Sequence, residues 1–440
     1  MAKKVILLTI PALRHSDLSN MPELMTLVKG GSQARLQHSF PSVTWPAQAN
    51  LLTGQTPEQH GVVANGFFWR DSGQVEMWTA WNKVIEAPQI WDVLPTIDPN
   101  LKSAAWFPML SKGCNADVVC MPAPIHQPDG SEDLWCYTKP QEFYGQLLET
   151  LGHFPLQHFW GPLANIKSSR WIADSAALAF KRFAPDFFYI YLPHLDYAAQ
   201  KSGPNSSGAL EAVEELDAVI GQLGHDLQKA DEEITWLIVS EYVITEVDHV
   251  CYPNRWLREA GLLSVHERDD GEYLDFANSQ AWAMVDHQLS HIFVNHADPR
   301  VIQQVTEIFK NKEGIDQVLA LEDRHQLKMN HPRSGEVILV SAPNSWQAYY
   351  WWLEDQSAPG FTRTVDIHRK PGYDPVELHF DPRTNTIPLD ASLIRGSHGA
   401  GAVKEEQQGV ILSSSAEMLT HETLAETDVF DLVLNSFRPS

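Results

Sequence analysis

Thr44 is the first residue whose setting could do chemistry. It lies in His38-Ser-Phe-Pro-Ser-Val-Thr44-Trp-Pro46-Ala, where a strand-like entry and a turn lead into a helical run that closes at Thr53-Gly54. Pro46 suits the first helical position, where a missing N–H costs nothing. Thr44 then stands just ahead of a helix N-terminus, whose free N–H groups and dipole favour an anion. A hydroxyl held there can attack phosphorus or sulfur once its pKa is lowered. The same residue can serve as a plain N-cap, and the local pattern alone favours the cap.

Carboxylates and imidazoles recur further on. Asp196 ends the apolar run Phe187–Leu192, at the strand terminus where open α/β sheets place their ligands, with His194 before it and Gln200 after it. Glu241 and Tyr242 follow a second apolar run, Thr235–Val239, and His398 sits in Arg395-Gly-Ser-His398-Gly. Asp286-His287 and Asp366-Ile-His368 place a carboxylate beside an imidazole, which suits zinc or manganese. Each pair also reads as a solvated or core-edge polar pair, and His194 as a hydrogen-bonding residue beside a strand end.

The elements that must position these groups alternate between strand and helix. Val5–Ile10 is a continuous apolar run, as in a central strand buried on both faces. Ala34–Phe40, Lys102–Trp106, Phe187–Leu192, Thr235–Val239 and Gly409–Leu412 read as further strands. Met21–Gly30, the run from Pro88, Pro140–Gly152, Ser168–Phe183, Gly208–Gly224 and Leu424–Phe437 read as helices, and Asn115–Pro128 as a loop with one short strand. The interval 245–393 reads as an inserted cap. It carries strand-like pieces at Gln280–Asp286, Ile292–Asn295 and Val337–Ser341, and a helix near Pro299–Lys310. Tyr349-Tyr-Trp-Trp352 fits cap packing better than a stacking surface.

Composition narrows the function. Lys and Arg total 32 against 56 Asp and Glu, a net charge of −24 that repels nucleic acid and anionic membranes. A phosphorylated substrate would then need a local positive centre, from a helix N-terminus or a divalent metal. No run is long enough to span a bilayer. The N-terminal apolar stretch is too short, and too soon broken by Pro11 and Arg14, for a signal peptide. A cytoplasmic protein is expected. Cys114, Cys120, Cys136 and Cys251 form no CxxC pair, so free thiols are the default.

Phe40-Pro-Ser-Val-Thr44-Trp-Pro, with Leu51-Leu-Thr-Gly and Glu58-Gln-His-Gly-Val downstream, resembles the nucleotide pyrophosphatase/phosphodiesterase branch of the alkaline phosphatase superfamily. The resemblance implies a three-layer α/β/α core, residues 1–244 and 394–440, interrupted by an α+β cap at 245–393. It implies Thr44 as nucleophile and Asn65 as the residue holding a phosphate oxygen. It also implies a divalent-metal site, one or two ions and zinc by preference, with Asp196, Glu241 and His398 as the ligands that remain. Three positions depart from the family pattern. Pro11-Ala12 replaces "D-G", Gln200 replaces a ligand His, and Glu241-Tyr242-Val243 replaces "D-H-G". A neutral phenol is a poor zinc ligand.

Three readings follow. The first is a hydrolase of phosphodiester or pyrophosphate bonds in a small phosphorylated substrate, using an altered metal site helped by His194, His287 or His368. The second is a degenerate relative that binds a phosphorylated ligand or protein partner without turnover. The third is a metal-free transferase with a Thr44–Glu241 pair. The retained nucleophile helix, Asn65 and His398 favour the first. Substrate identity and oligomeric state stay open.

Overall fold

The computed structural model describes residues 4–126, 132–230, 233–401 and 408–438. The first three residues and the end of the Asn115–Pro128 segment lie outside them. The chain is built on a nine-stranded sheet. Its strands run, edge to edge, Thr423–Ala425, Ser32–Gln37, Gly409–Ser413, Ile234–Ser240, Lys4–Ile10, Phe187–Tyr191, Ser103–Trp106, Val118–Pro122 and Cys136–Lys139. Five central strands, Ile234–Ser240 through Val118–Pro122, are parallel; Gly409–Ser413 and Cys136–Lys139 run against their neighbours. The continuous apolar sequence of Lys4–Ile10 has a structural cause: every residue of that strand is buried between two helical layers.

The helices form where side chains cap their open N–H groups. Asn165 accepts from the Lys167 N–H at the start of Ile166–Phe183, and Ser206 accepts from Ala209 at the start of Ser207–Gln228. These two pack together with His194–Ser202, while Asp428–Asn435 packs on Thr44–Thr53 and on Ile90–Ile97. The result is the expected α/β/α architecture. A second, antiparallel sheet orders Ala281–Asp286, Leu289–Val294, Val337–Ser341 and Ile315–Ala320, backed by the helix Pro299–Phe309. It has its own core, including Phe293, Val305, Phe309 and Leu339, and Tyr349 to Trp352 are shut inside it at 0–1% exposure. Packing is thus the use of that aromatic run.

Three local expectations change. The helix that carries Thr44 spans Thr44–Thr53 with Val43 as its cap, so Thr44 is its first residue and Pro46 its third. Both lie in the first turn, where a missing N–H still costs nothing. The expected helix Leu424–Phe437 is a strand, Thr423–Ala425, and then a helix, Asp428–Asn435, because the Asp428 carboxylate takes the Ala425 N–H and starts the helix there. Met21–Gly30 shrinks to Pro22–Leu27. The chain then turns through Gly30 at φ +78° and passes so close to the antiparallel strand that a Cβ on Gly31 would lie 1.9 Å from the Ser413 oxygen.

Leu8, fully buried and paired between Ile190 and Ile238, tests the central strand. Leu8→Ala should cost about 2–5 kcal/mol in chemical denaturation, from lost transfer energy and an unfilled cavity. An unchanged midpoint would contradict this packing.

Candidate active site

The parallel strands deliver their C-terminal ends to one place. Thr44, Tyr242, Asp196 and His398 meet there, all buried. The Thr44 Oγ1 is 3.3 Å from the Tyr242 Oη, and the Tyr242 hydroxyl donates to Asp196 Oδ1 at 3.1 Å. The Gln200 amide donates to the other Asp196 oxygen at 2.7 Å and accepts from the Tyr373 hydroxyl at 2.9 Å. His398 Nδ1 bonds to the Ser42 carbonyl at 2.7 Å, so it carries the proton. Its Nε2 has no hydrogen-bond partner among the described residues and lies 3.8 Å from Asp196 Oδ1. The His398 ring lies flat on Tyr242, centroids 3.7 Å apart and planes 4° apart.

Asn65 and the second sheet close the site. The Asn65 side-chain oxygen accepts from the Trp45 N–H, and its amide and backbone N–H donate to Asp286. His287 occupies the turn of the Ala281–Val294 hairpin at φ +59°, a conformation unusual for a non-glycine residue. Its Nδ1 bonds to Asp286 at 2.6 Å, its ring stacks on Tyr373 at 3.6 Å, and it faces His398 at 3.9 Å.

The structure therefore brings together Thr44, Asn65, Asp196 and His398, and adds Asp286 and His287. The Glu241 carboxylate is engaged by Gln48 and Tyr189, at 3.0 and 3.2 Å. No hydrogen bond joins it to Thr44 among the described residues. His194 turns to Glu215 at 2.8 Å, and Asp366 pairs with Arg369 on the surface, with His368 exposed nearby. None of these three reaches Asp196. Sequence reasoning missed Tyr373, Gln48 and Tyr189. Only the turn Pro371-Gly-Tyr-Asp-Pro marked Tyr373's segment, and nothing marked its side chain. It also read Tyr242 and Gln200 as losses, whereas both carry hydrogen bonds at the centre of the site.

A pair of divalent ions does not fit this donor set. Both Asp196 oxygens accept from Tyr242 and Gln200, Pro11 has no donor atom, and Glu241 is held by other partners. Among the described residues no three His, Cys, Asp or Glu side chains are grouped to hold one ion. Asp196 Oδ1 and His398 Nε2 face each other at 3.8 Å.

Burial dominates the electrostatics. It raises Asp196 to about 7 against the donors Tyr242 and Gln200, Glu241 to about 8, and Asp286 to about 6. It pushes His398 and His287 well down, so both imidazoles are neutral. The consequence for Glu241 has a definite sign. Between its ordinary 4.5 and about 8 the folded state keeps a proton that the unfolded chain has lost, so stability falls as pH rises through that window. Glutamine mimics the protonated acid. Glu241→Gln should therefore gain in denaturation midpoint relative to wild type from about pH 5 to about pH 8. Identical pH dependence in the two proteins would show that Glu241 titrates normally.

Comparison with known proteins places this geometry. The sequence model of the type I phosphodiesterase / nucleotide pyrophosphatase family matches residues 5–374. The bovine bis(5'-adenosyl)-triphosphatase ENPP4 is 25% identical over 257 residues, 55% of this chain and 48% of its own. The chain thus spans about half the length of the curated relatives it matches. Murine ectonucleotide pyrophosphatase/phosphodiesterase 5 superposes with a TM-score of 0.62 at 14% identity, covering 99% of this chain and 95% of that one. Phosphonoacetate hydrolase from Sinorhizobium meliloti 1021, in complex with phosphonoformate, gives 0.62 at 15% identity, covering 99% and 96%. These two likenesses show the fold. Members of the family typically depend on divalent metal. With its sequence matched over most of its length, the chain belongs to the type I phosphodiesterase / nucleotide pyrophosphatase family.

Proposed function

We propose that this protein hydrolyses phosphodiester or pyrophosphate-type bonds in a small phosphorylated substrate, with Thr44 as nucleophile. One observation carries the reading. The Thr44 hydroxyl stands at the first position of a fully buried helix and is joined through Tyr242 to a carboxylate. A helix start favours a phosphoryl group beside that hydroxyl. Asn65, which already braces Trp45, has a second amide N–H to offer a phosphate oxygen. The names of the relatives, a dinucleoside triphosphatase and a phosphonate hydrolase, support a small phosphorylated substrate.

Charge is the obstacle to this reading, and burial lessens it. Among the described residues no Lys or Arg bonds to Thr44, Tyr242, Asp196, Glu241 or His398. With Asp196 near 7 and Glu241 near 8, these acids carry much of a proton at neutral pH, which reduces repulsion of a phosphate. The interval 245–393, source of Asp286 and His287, serves in this reading as the cap over the site. The zinc that the resemblance implied has only Asp196 and His398 to hold it, so we assign it no step. No helix among the described residues is long and apolar enough to cross a membrane, and the four cysteines are free and buried, which suits a reducing cytoplasm.

A second reading rests on the ligand positions held by Pro11, Gln200 and Tyr242: binding of the same ligand without turnover. One variant separates the two. Thr44→Ala should abolish hydrolysis of an aryl phosphodiester such as bis(p-nitrophenyl) phosphate, with the melting temperature retained, because the covalent route is gone. A variant as fast as wild type would leave Thr44 as a helix residue only. A wild type that binds a nucleoside monophosphate in titration calorimetry, yet turns over no aryl phosphodiester, would establish the binding reading.

A further inference from the structure

We infer that the second sheet carries a binding site, separate from the Thr44 centre, for a small planar aromatic compound bearing one negative charge. It stands apart from the reading of Thr44 as nucleophile. The site is a cavity of about 810 Å3, lined from the strand Gly66–Trp69, the hairpin Ala281–Val294 and the segment 324–336. Its volume falls in the range of cavities that enclose small ligands. It lies at the far end of the hairpin from Asp286 and His287. Trp282, paired there with Phe293, is four residues before Asp286, about 13 Å along the strand. None of Thr44, Asn65, Asp196, Asp286, His287 and His398 lines the cavity.

Its wall is aromatic. Trp282 and Phe293 are buried and stack with centroids 5.1 Å apart. Phe68 lies 4.9 Å from Phe293 and Phe276 lies 4.6 Å from Trp282, and both of these outer rings stay half-buried. Their open faces are apolar surface that a flat ring would take out of water.

The polar groups select an anion. The chain has 56 acidic residues against 32 basic ones, yet the charged residues lining this cavity are Arg70, Arg324 and Glu336. Glu336 is already engaged: it accepts from the Val294 N–H at 2.7 Å and pairs with Arg70 at 2.8 Å. The surplus of one positive charge suits a monoanion. Arg70 lies over the Phe293 ring at 5.1 Å and donates through Nε and Nη2 to the Pro332 and Ser334 carbonyls. Its Nη1 has no hydrogen-bond partner among the described residues, and its side chain is 39% exposed, so that edge is open to a carboxylate. The Ser334 hydroxyl is a second unmet group. Ser334 lines the cavity, yet its hydroxyl is fully buried with no partner among the described residues. A buried hydroxyl left unpaired is costly, and an acceptor on a ligand would satisfy it. The rim adds strain: His296 at φ +55° and Ala297 at φ +47° are successive non-glycine residues in the left-handed region, which persist where function holds them.

The probe is 2-naphthoate, titrated calorimetrically into the wild type, with neutral 2-naphthamide and non-aromatic cyclohexanecarboxylate as controls. We expect one saturable site for 2-naphthoate. Removing the charge or the ring from the probe should weaken binding about 10-fold or more. Arg70→Met, which keeps the stem on Phe293 and removes the guanidinium, and Phe276→Ala should each do the same, with melting temperatures checking the fold. Photolabelling of the wild type with 4-azidobenzoate should mark the peptides that hold Phe68–Arg70 or Phe276–Trp282, and it decides the matter alone if a variant unfolds. A wild type without saturable 2-naphthoate binding overturns the site. So does 2-naphthamide or cyclohexanecarboxylate bound as tightly as 2-naphthoate, binding undiminished in both folded variants, or label confined to other peptides such as that of Thr44.

Discussion

The constraint on which this structure depends is the burial of carboxyl groups in a protein core without cations beside them. Asp196, Glu241, Asp286 and Glu426 are all removed from water. An isolated buried carboxylate is costly, and the chain meets that cost with neutral donors and retained protons. Asp196 has a phenol and an amide, and Glu241 an amide and a phenol. Asp286 has the Asn65 amide and backbone N–H, and Glu426 has Asn50 and the Ser39 N–H. Asp196, Glu241 and Glu426 each draw their donors from two separate segments, which ties those segments together around the site, while Glu241 Oε2 and Glu426 Oε1 have no hydrogen-bond partner among the described residues.

The bracing extends across both sheets. Asp286, at the end of a strand in the second sheet, holds Asn65, which holds the N–H beside Thr44. The next residue, His287, is wedged between Tyr373 and His398, and the Gln288 N–H donates to the His398 carbonyl. One strand end and the turn that follows it therefore brace both the helix start and the histidine loop. The strained backbone of His287 persists because this packing determines it from several sides at once. The glycine after His398 is required for a related reason. At φ +120° it turns the chain beside the Gln288 N–H, and a Cβ there would lie 3.1 Å from that nitrogen.

Much of the fold was legible in the sequence because its signals are local. Val5–Ile10 and Phe187–Leu192 are apolar runs of strand length, and Ser168–Phe183 has a clear helical face. The motif around Thr44 was specific enough to indicate the family. Where a boundary moved, a single side chain had decided it, as Asp428 did for the last helix. The site was only half legible. The family resemblance singled out Thr44, Asn65, Asp196 and His398, which the fold brings together. It could not single out Tyr373 and Gln48, because their roles depend on contacts between segments far apart in the chain. Glu241 illustrates the same limit: its residue type fitted a ligand, yet its nearest donors are on other strands and helices and take its carboxylate away from Thr44.

The substitutions at the family's metal positions are coupled, and this bears on how the site is held. A histidine at 200 would lose the amide that both donates to Asp196 and accepts from Tyr373, leaving one buried oxygen and one buried hydroxyl short of a partner. A histidine at 242 would remove the phenol that joins Thr44 to Asp196. An aspartate at the buried position 11 would add one more carboxylate to be satisfied. A histidine placed singly at 200 or at 242 would thus lose hydrogen bonds before it gained a ligand, since an ion needs several donors at once. The present network and the metal site are alternative ways to satisfy the same buried carboxylates. Building an ion site at these positions would require several of those hydrogen bonds to be broken together.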